Sequence, residues 1–149
     1  MKSHAAIEID KPIDEVFPRT NEDVATWSLT CVEDELLEDK DGVGTTFRIV
    51  TEERGRRMDF DGVVTKWEPP TLSGVYLTGK QFDIDVDYVF EDLGGRTRVS
   101  VSSVVTGKGL FKLMLAVMGV FFRKSGCDAQ SRELESLKSY CETGQPLSA

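Results

Sequence analysis

Hydrophobic and polar positions change period three times along this chain. Ala5 to Asp10 alternate as AAIEID, which predicts a short first strand. Lys11-Pro12-Ile13-Asp14-Glu15 then opens a helix, with proline near the first turn, where its missing N–H costs little. Pro18 is expected to break that helix, and Asn21 to cap a second short one ending near Trp27. Two brief, adjacent helices predict a V-shaped pair. From Leu29 the period becomes two, with strands expected near 30–37, 43–52, 56–67, 72–78, 82–91 and 96–106. The breaks between them are turn chemistry: Asp41-Gly42, Arg54-Gly55, Pro69-Pro70, Gly79-Lys80 and Gly94-Gly95. The last stretch reads as one helix that changes character halfway. Leu110 to Phe122, LFKLMLAVMGVFF, is apolar on nearly every side, whereas Arg123 to Glu142 carries only a narrow stripe at Cys127, Leu134, Leu137 and Cys141.

Short links between successive strands make the sheet antiparallel, and the first strand brings the count to seven. If Arg54-Gly55 is a two-residue turn, Thr51 faces Met58, Ile49 faces Phe60 and Phe47 faces Gly62. Phe47, Ile49, Met58 and Phe60 then share an interior face. Along 82–90, Phe82, Ile84, Val86, Tyr88 and Phe90 point inward while Asp83, Asp85 and Asp87 point out. Past Gly94-Gly95, Val99, Val101, Ser103 and Val105 continue the inner face, and Glu91 pairs with Arg98 outside. A one-sided sheet needs a cover, and the final helix is the element long enough to supply it. Its half that is greasy all round must be covered by more than one flat sheet: a wrapping sheet, a partner or a ligand.

At 149 residues the chain is expected to form a single domain with its core over 4–142 and a flexible tail at 143–149. A net charge of −8 argues against a nucleic-acid footprint and disfavours anionic membrane surfaces. The 13-residue apolar run, interrupted by Lys112, is too short for stable membrane insertion, which takes about 20 residues. Cys127 and Cys141 lie roughly 21 Å apart along one helix, beyond disulfide reach. With an odd cysteine count and no signal pattern, the expected location is cytoplasmic, with reduced thiols.

Reactive constellations are sparse. His4 is the only histidine, reads as a surface residue just before the first strand, and leaves no multi-histidine metal site. Cys31, Cys127 and Cys141 lack metal spacing, so neither metal nor cofactor is expected. Asp83, Asp85 and Asp87 stand about 6.8 Å apart on the outer side, a solvated face that discourages aggregation. No Ser-His-Asp or Cys-His set can be assembled. Gly42-Val43-Gly44 is too short for a phosphate loop, and Gly107-Lys108-Gly109 reads as the hinge before the last helix. Tyr88 and Ser103 are the clearest polar groups inside. A two-residue turn at Gly79-Lys80 pairs Tyr76 with Asp83 and faces it out, and a looser turn would let it join them. Such a hydroxyl bonds to nearby backbone or water, or, for Tyr88, orients a ligand carbonyl or hydroxyl.

The order of parts and five local motifs resemble the SRPBCC superfamily (START-like, Bet v 1-like). IEIDKPIDEVF is similar to that family's opening strand and "Pro-x-x-x-Val-Phe/Trp" helix, and Trp27 stands where a tryptophan often ends its second helix. GVGTTFRI, VVTKWEPPTL, GGRTRVSV and LESLKSYCE resemble its "Gly-x-Gly" strand entry, "Val-x-x-x-x-Pro-x-x-Leu" turn, "Gly-Thr-x-Val" strand and helix ending. The polyketide cyclase/dehydrase and lipid-transport-like group is the nearest in look. The SGLPA-type gate and HRL latch of plant hormone receptors are missing, as are the marks of the Hsp90-ATPase activator and ubiquinone-binding groups.

The resemblance implies an α+β helix-grip fold, a seven-stranded curved antiparallel sheet with two short helices wrapped around a long C-terminal helix. It also implies an apolar cavity between sheet and helix. Residues expected to line it are Phe47, Ile49, Met58, Phe60, Ile84, Val86, Tyr88, Phe90, Val101, Ser103, Leu113, Met114, Val117, Met118 and Phe121. Three functions follow. The first is a carrier or sensor for a hydrophobic small molecule such as a lipid, polyketide or isoprenoid. The second is a cyclase/dehydratase-type enzyme, which would need an ionisable group inside the cavity. The third is an interaction module or homodimer using Leu110, Phe111, Leu115 and Phe122.

Overall fold

Strand β1 (Lys2–Ile9) alternates exposed and buried positions, and its inner residues Ser3, Ala5 and Ile9 are buried in the computed structural model. The structure describes residues 1–148, and the side chains of 118–125 lie outside the described residues. β1 begins earlier than the sequence pattern suggests. His4 therefore lies within the strand, on its exposed side, with Nδ1 3.0 Å from the Ser102 hydroxyl. The backbone ladder to residues 97–104 holds these residues extended whatever their polarity.

The first helix corrects the sequence reading. α1 (Ile13–Glu22) passes through Pro18 without breaking, and α2 (Val24–Trp27) is introduced by Asp23, not Asn21. Asn21 is inside α1, its side-chain amide donating to the Phe17 carbonyl at 2.8 Å. One apolar face, Ile13, Val16 and Phe17, is buried together with Thr20, and that packing outweighs the hydrogen bond Pro18 removes. Phe17 sits between Trp67 and Phe90, with ring centroids 5.1 and 5.0 Å away.

β2 (Cys31–Glu38), β3 (Thr46–Glu53), β4 (Arg56–Glu68), β5 (Leu72–Thr78), β6 (Phe82–Asp92) and β7 (Thr97–Gly107) complete an antiparallel sheet of order β1-β7-β6-β5-β4-β3-β2. The turn at Arg54-Gly55 has positive φ at both residues, 52° and 77°, a backbone twist that suits a two-residue hairpin. It gives the register that turn requires: Thr51 opposite Met58, Ile49 opposite Phe60, Phe47 opposite Gly62. Glu91 likewise lies opposite Arg98, their side chains 3.0 Å apart.

At Gly79-Lys80 the loop is longer than two residues, and Thr78 pairs with Asp83. The offset is two, so every side chain keeps its face. Tyr76 stays on the outer side, in register with Asp85 and donating its hydroxyl to Asp83 at 3.0 Å. Two of the three outward aspartates are matched with cations: Lys108 to Asp83 and Lys66 to Asp87, at 2.9 and 2.6 Å.

α3 (Leu110–Thr143) crosses the inner face. Its second half carries the core: Leu134, Leu137 and Cys141 close on Ile9, Val16, Phe17, Trp27, Phe90, Val99 and Val101. Beyond Thr143 the chain turns back, with the Leu147 N–H donating to the Ser136 hydroxyl at 3.2 Å.

Gly62 leaves room for Phe47. A Cβ there would run into the Phe47 ring. Gly62→Ala is expected to lower stability by about 1–3 kcal/mol through overpacking. Adding Phe47→Ala removes the obstacle, so the double variant should lose less than the sum of the two single changes. Strictly additive losses in denaturant titrations would contradict this contact.

Candidate functional site

The inner face divides into two regions. Around the second half of α3 it is packed solid, and Phe90, Val101 and Ser103 belong to that region. Toward β3 and β4, Phe47, Ile49 and Met58 are only half-buried, as are Ile84, Val86 and Tyr88 on β6. Phe60 is buried beside Phe82, their rings 5.7 Å apart, and the two form the floor of an open hollow of about 320 Å³ between the β3–β4 turn and the β5–β6 loop.

The expected contribution of α3 is corrected. Leu113, Met114 and Val117 are exposed, not turned to the sheet. Phe111 meets Phe82 at 5.4 Å, and Leu115 comes up against Gly107. Those two contacts fix the rotation of the helix, and at 3.6 residues per turn Leu113 and Val117 then fall on its far side. The same rotation takes Phe111 and Leu115 out of the suggested dimer patch. Met118, Phe121 and Phe122 have side chains outside the described residues.

Sequence reasoning placed no ionisable group inside, and the structure places one there, Glu133, with a second, Asp34, at the rim. Glu133, on α3, accepts from the Ser28 hydroxyl at 2.6 Å and from the Leu29 N–H at 2.8 Å. Burial pushes its carboxyl up from the ordinary range, although both of these donors pull it down. Asp34 stands opposite Ile49 on the inner face of β2, and loss of water around its carboxyl raises it too, though much of the residue is exposed. Cys31 feels both carboxylates: burial first, and Asp34 next, push its thiol up to about 11, so it rests as a neutral thiol. Tyr88 is raised by burial and then by Glu133, and no hydrogen bond ties its hydroxyl to a described residue.

Further polar atoms face inward. Ser103 shares a 2.8 Å hydrogen bond with Ser3 and accepts another from Gln130 at 2.6 Å, which is the local bonding expected of a buried hydroxyl. Ser73 lies beside Tyr88 in register, and Thr51 beside Cys31. Thr51 Oγ1, Ser73 Oγ and Gln130 Oε1 are buried with no hydrogen-bond partner among the described residues. Gln130 had a legible signal, since it falls three residues after Cys127 and four before Leu134 on the apolar stripe. Asp34 had none: bulges at Val32 and Leu37 interrupt the alternation of β2. Among the described residues no three His, Cys, Asp or Glu side chains are placed to hold a metal.

A curved seven-stranded antiparallel sheet gripping a long C-terminal helix is the helix-grip fold. Its likeness to solved structures is extensive in shape and slight in sequence. The protein TTHA0849 from Thermus thermophilus superposes with a TM-score of 0.80 at 14% identity, over 97% of this chain and 99% of that one. The aromatase/cyclase Zhui from Streptomyces sp. R1128 gives 0.71 at 14% identity, over 99% of both chains. A START superfamily protein from Mycobacterium smegmatis gives 0.67 at 17%, over 91% of this chain and 98% of that one. No family model and no curated protein matches the sequence.

Proposed function

We propose that this protein binds an apolar small molecule carrying one or two polar groups, between the β3–β6 part of the sheet and the first half of α3. The observation that carries this reading is the set of buried polar atoms without partners, Thr51 Oγ1, Ser73 Oγ and Gln130 Oε1, together with the Tyr88 hydroxyl, on an otherwise apolar face. An unpaired buried polar atom costs about 1–3 kcal/mol, which a ligand oxygen or hydroxyl pairing with one of them would relieve. Phe47, Ile49, Met58, Ile84 and Val86 supply the apolar wall. The cyclase named among the structural neighbours and the START superfamily protein are consistent with an interior of this type.

A second reading, a cyclase/dehydratase-type enzyme, is favoured by one observation, the ionisable groups inside and at the rim. Glu133 has both carboxylate oxygens engaged by Ser28 and Leu29, so it serves chiefly to hold the chain between α2 and β2. Asp34 is the residue this reading needs as proton donor or acceptor.

Native mass spectrometry of freshly purified protein, followed by organic extraction, tests the first reading. The expected result is a mass above 16.6 kDa by one apolar compound. Apolar-probe binding should fall about tenfold in Met58→Glu and stay unchanged in Val117→Glu, whose side chain faces outward. Equal loss in both folded variants, or an empty protein that takes up no probe, would sink the binding reading. If the extracted compound is converted by wild type and not by Asp34→Asn, the second reading replaces the first.

A further inference from the structure

The buried polar atoms without partners are not chemically equal, and the difference narrows the ligand. Thr51 and Ser73 present hydroxyls, as does Tyr88, and a hydroxyl can donate or accept. Those three would pair with a ketone as readily as with an alcohol. Gln130 Oε1 can only accept. Its amide nitrogen is committed, donating to the Ser103 hydroxyl at 2.6 Å, and Ser103 in turn shares a 2.8 Å hydrogen bond with Ser3. This chain of polar groups therefore ends in an amide oxygen that is buried and meets no donor among the described residues.

That oxygen belongs to the border between the packed region and the apolar wall. Ser103 lies opposite Val86, one of the half-buried residues of the wall. Tyr88 follows Val86 on the same face of β6, about 6.8 Å along the strand. Glu133 follows Gln130 on α3, about 4.5 Å along the helix. The charge of Glu133 is felt at Tyr88, so these two steps run along the same stretch of interior. Glu133 is itself an acceptor, with its two oxygens already engaged by Ser28 and Leu29. The α3 side of this stretch thus offers oxygens and asks for hydrogen.

We propose that the molecule bound here is an apolar alcohol or phenol whose hydroxyl donates to Gln130 Oε1, and that Gln130 is the residue that selects it. This rests on the binding reading above and narrows it. A ketone, ester, ether or carboxylate brings acceptors only and leaves the amide oxygen buried and unpaired. A hydroxyl supplies the missing hydrogen at no cost in charge.

Competition against N-phenylnaphthylamine, a neutral apolar dye, tests this by comparing naphthol with its methyl ether, methoxynaphthalene, on the full chain. Wild type should bind naphthol about tenfold more tightly than the ether. Gln130→Met keeps the length of the side chain without its carbonyl oxygen, and Gln130→Leu is the second variant. Each should bring the ratio to about one by weakening naphthol alone, whereas a merely structural loss would weaken both compounds. A wild-type ratio near one, or tighter binding of the ether, overturns the proposal and leaves the binding reading standing, since both compounds still displace the dye. So does a preference that survives in the folded Gln130 variants, or one that only Tyr88→Phe abolishes. If neither the dye nor either compound binds, the binding reading fails and this proposal fails with it.

Discussion

Trp27→Ala should cost about 3–5 kcal/mol and lower the melting temperature by roughly 10–15 °C, the largest loss expected from any single truncation in this protein. Trp27 is 2% exposed and joins three elements. Its indole N–H donates to the Thr20 carbonyl of α1 at 3.1 Å, its own carbonyl accepts from Ser136 of α3 at 2.6 Å, and its ring belongs to the cluster closed by Leu134 and Leu137. The change leaves a cavity where two short helices and the long one converge, and neither short helix is long enough to persist alone. Calorimetry that found wild-type stability would mean the cluster collapses around the missing ring, which its close packing argues against.

Glu133 yields the second large effect and a sign that can be checked. Glu133→Ala removes the acceptor for the Ser28 hydroxyl and the Leu29 N–H and should cost about 2–3 kcal/mol. Glu133→Gln keeps an acceptor of nearly the same shape without the buried charge and should stay within about 1 kcal/mol of wild type at neutral pH. The pH dependence follows from the raised carboxyl. The folded state keeps the proton to a higher pH than the unfolded chain, whose carboxyl titrates near 4.5. This group's contribution is therefore fully present below 4.5 and is lost as pH rises through the higher folded value. Asp83 and Glu142 are lowered and act in the opposite sense, so the informative quantity is the wild-type curve minus that of Glu133→Gln. A difference that rises with pH in that window, or does not change, would contradict a buried, raised Glu133.

Strand order and faces were legible because turn chemistry and alternation reinforce one another. Arg54-Gly55 alone sets the pairing of Phe47 with Gly62, and the longer β5–β6 loop altered partners without altering faces because the offset was even. Pro18 misled because local propensity reads a break where the buried face of Val16, Phe17 and Thr20 keeps the helix whole. The rotation of α3 was not legible. In a run apolar on all sides, Leu113 and Phe111 are equivalent as sequence, and only the positions of Phe82 and Gly107 decide which is covered. Glu133 and Asp34 were hidden for related reasons: Glu133 reads as a surface glutamate until the chain after Trp27 lies across it, and bulges put Asp34 and Cys31 on the same side.

The pairing of β1 with β7 has a consequence for how the chain reaches this state. β1 is an edge strand whose single sheet neighbour begins at Thr97, and Lys2 pairs with Val104 across about a hundred residues. The helix that covers β1 comes later still, with Lys138 donating to the Glu8 carbonyl and the Asp10 N–H donating to Glu142. During synthesis β1 must therefore wait, apolar side chains unburied, until β7 and α3 have emerged. Contacts of such sequence separation carry a large loop-closure cost and slow folding. The β2–β6 meander, built from short-range hairpins, can form meanwhile and offers a platform on which β7, β1 and α3 assemble last.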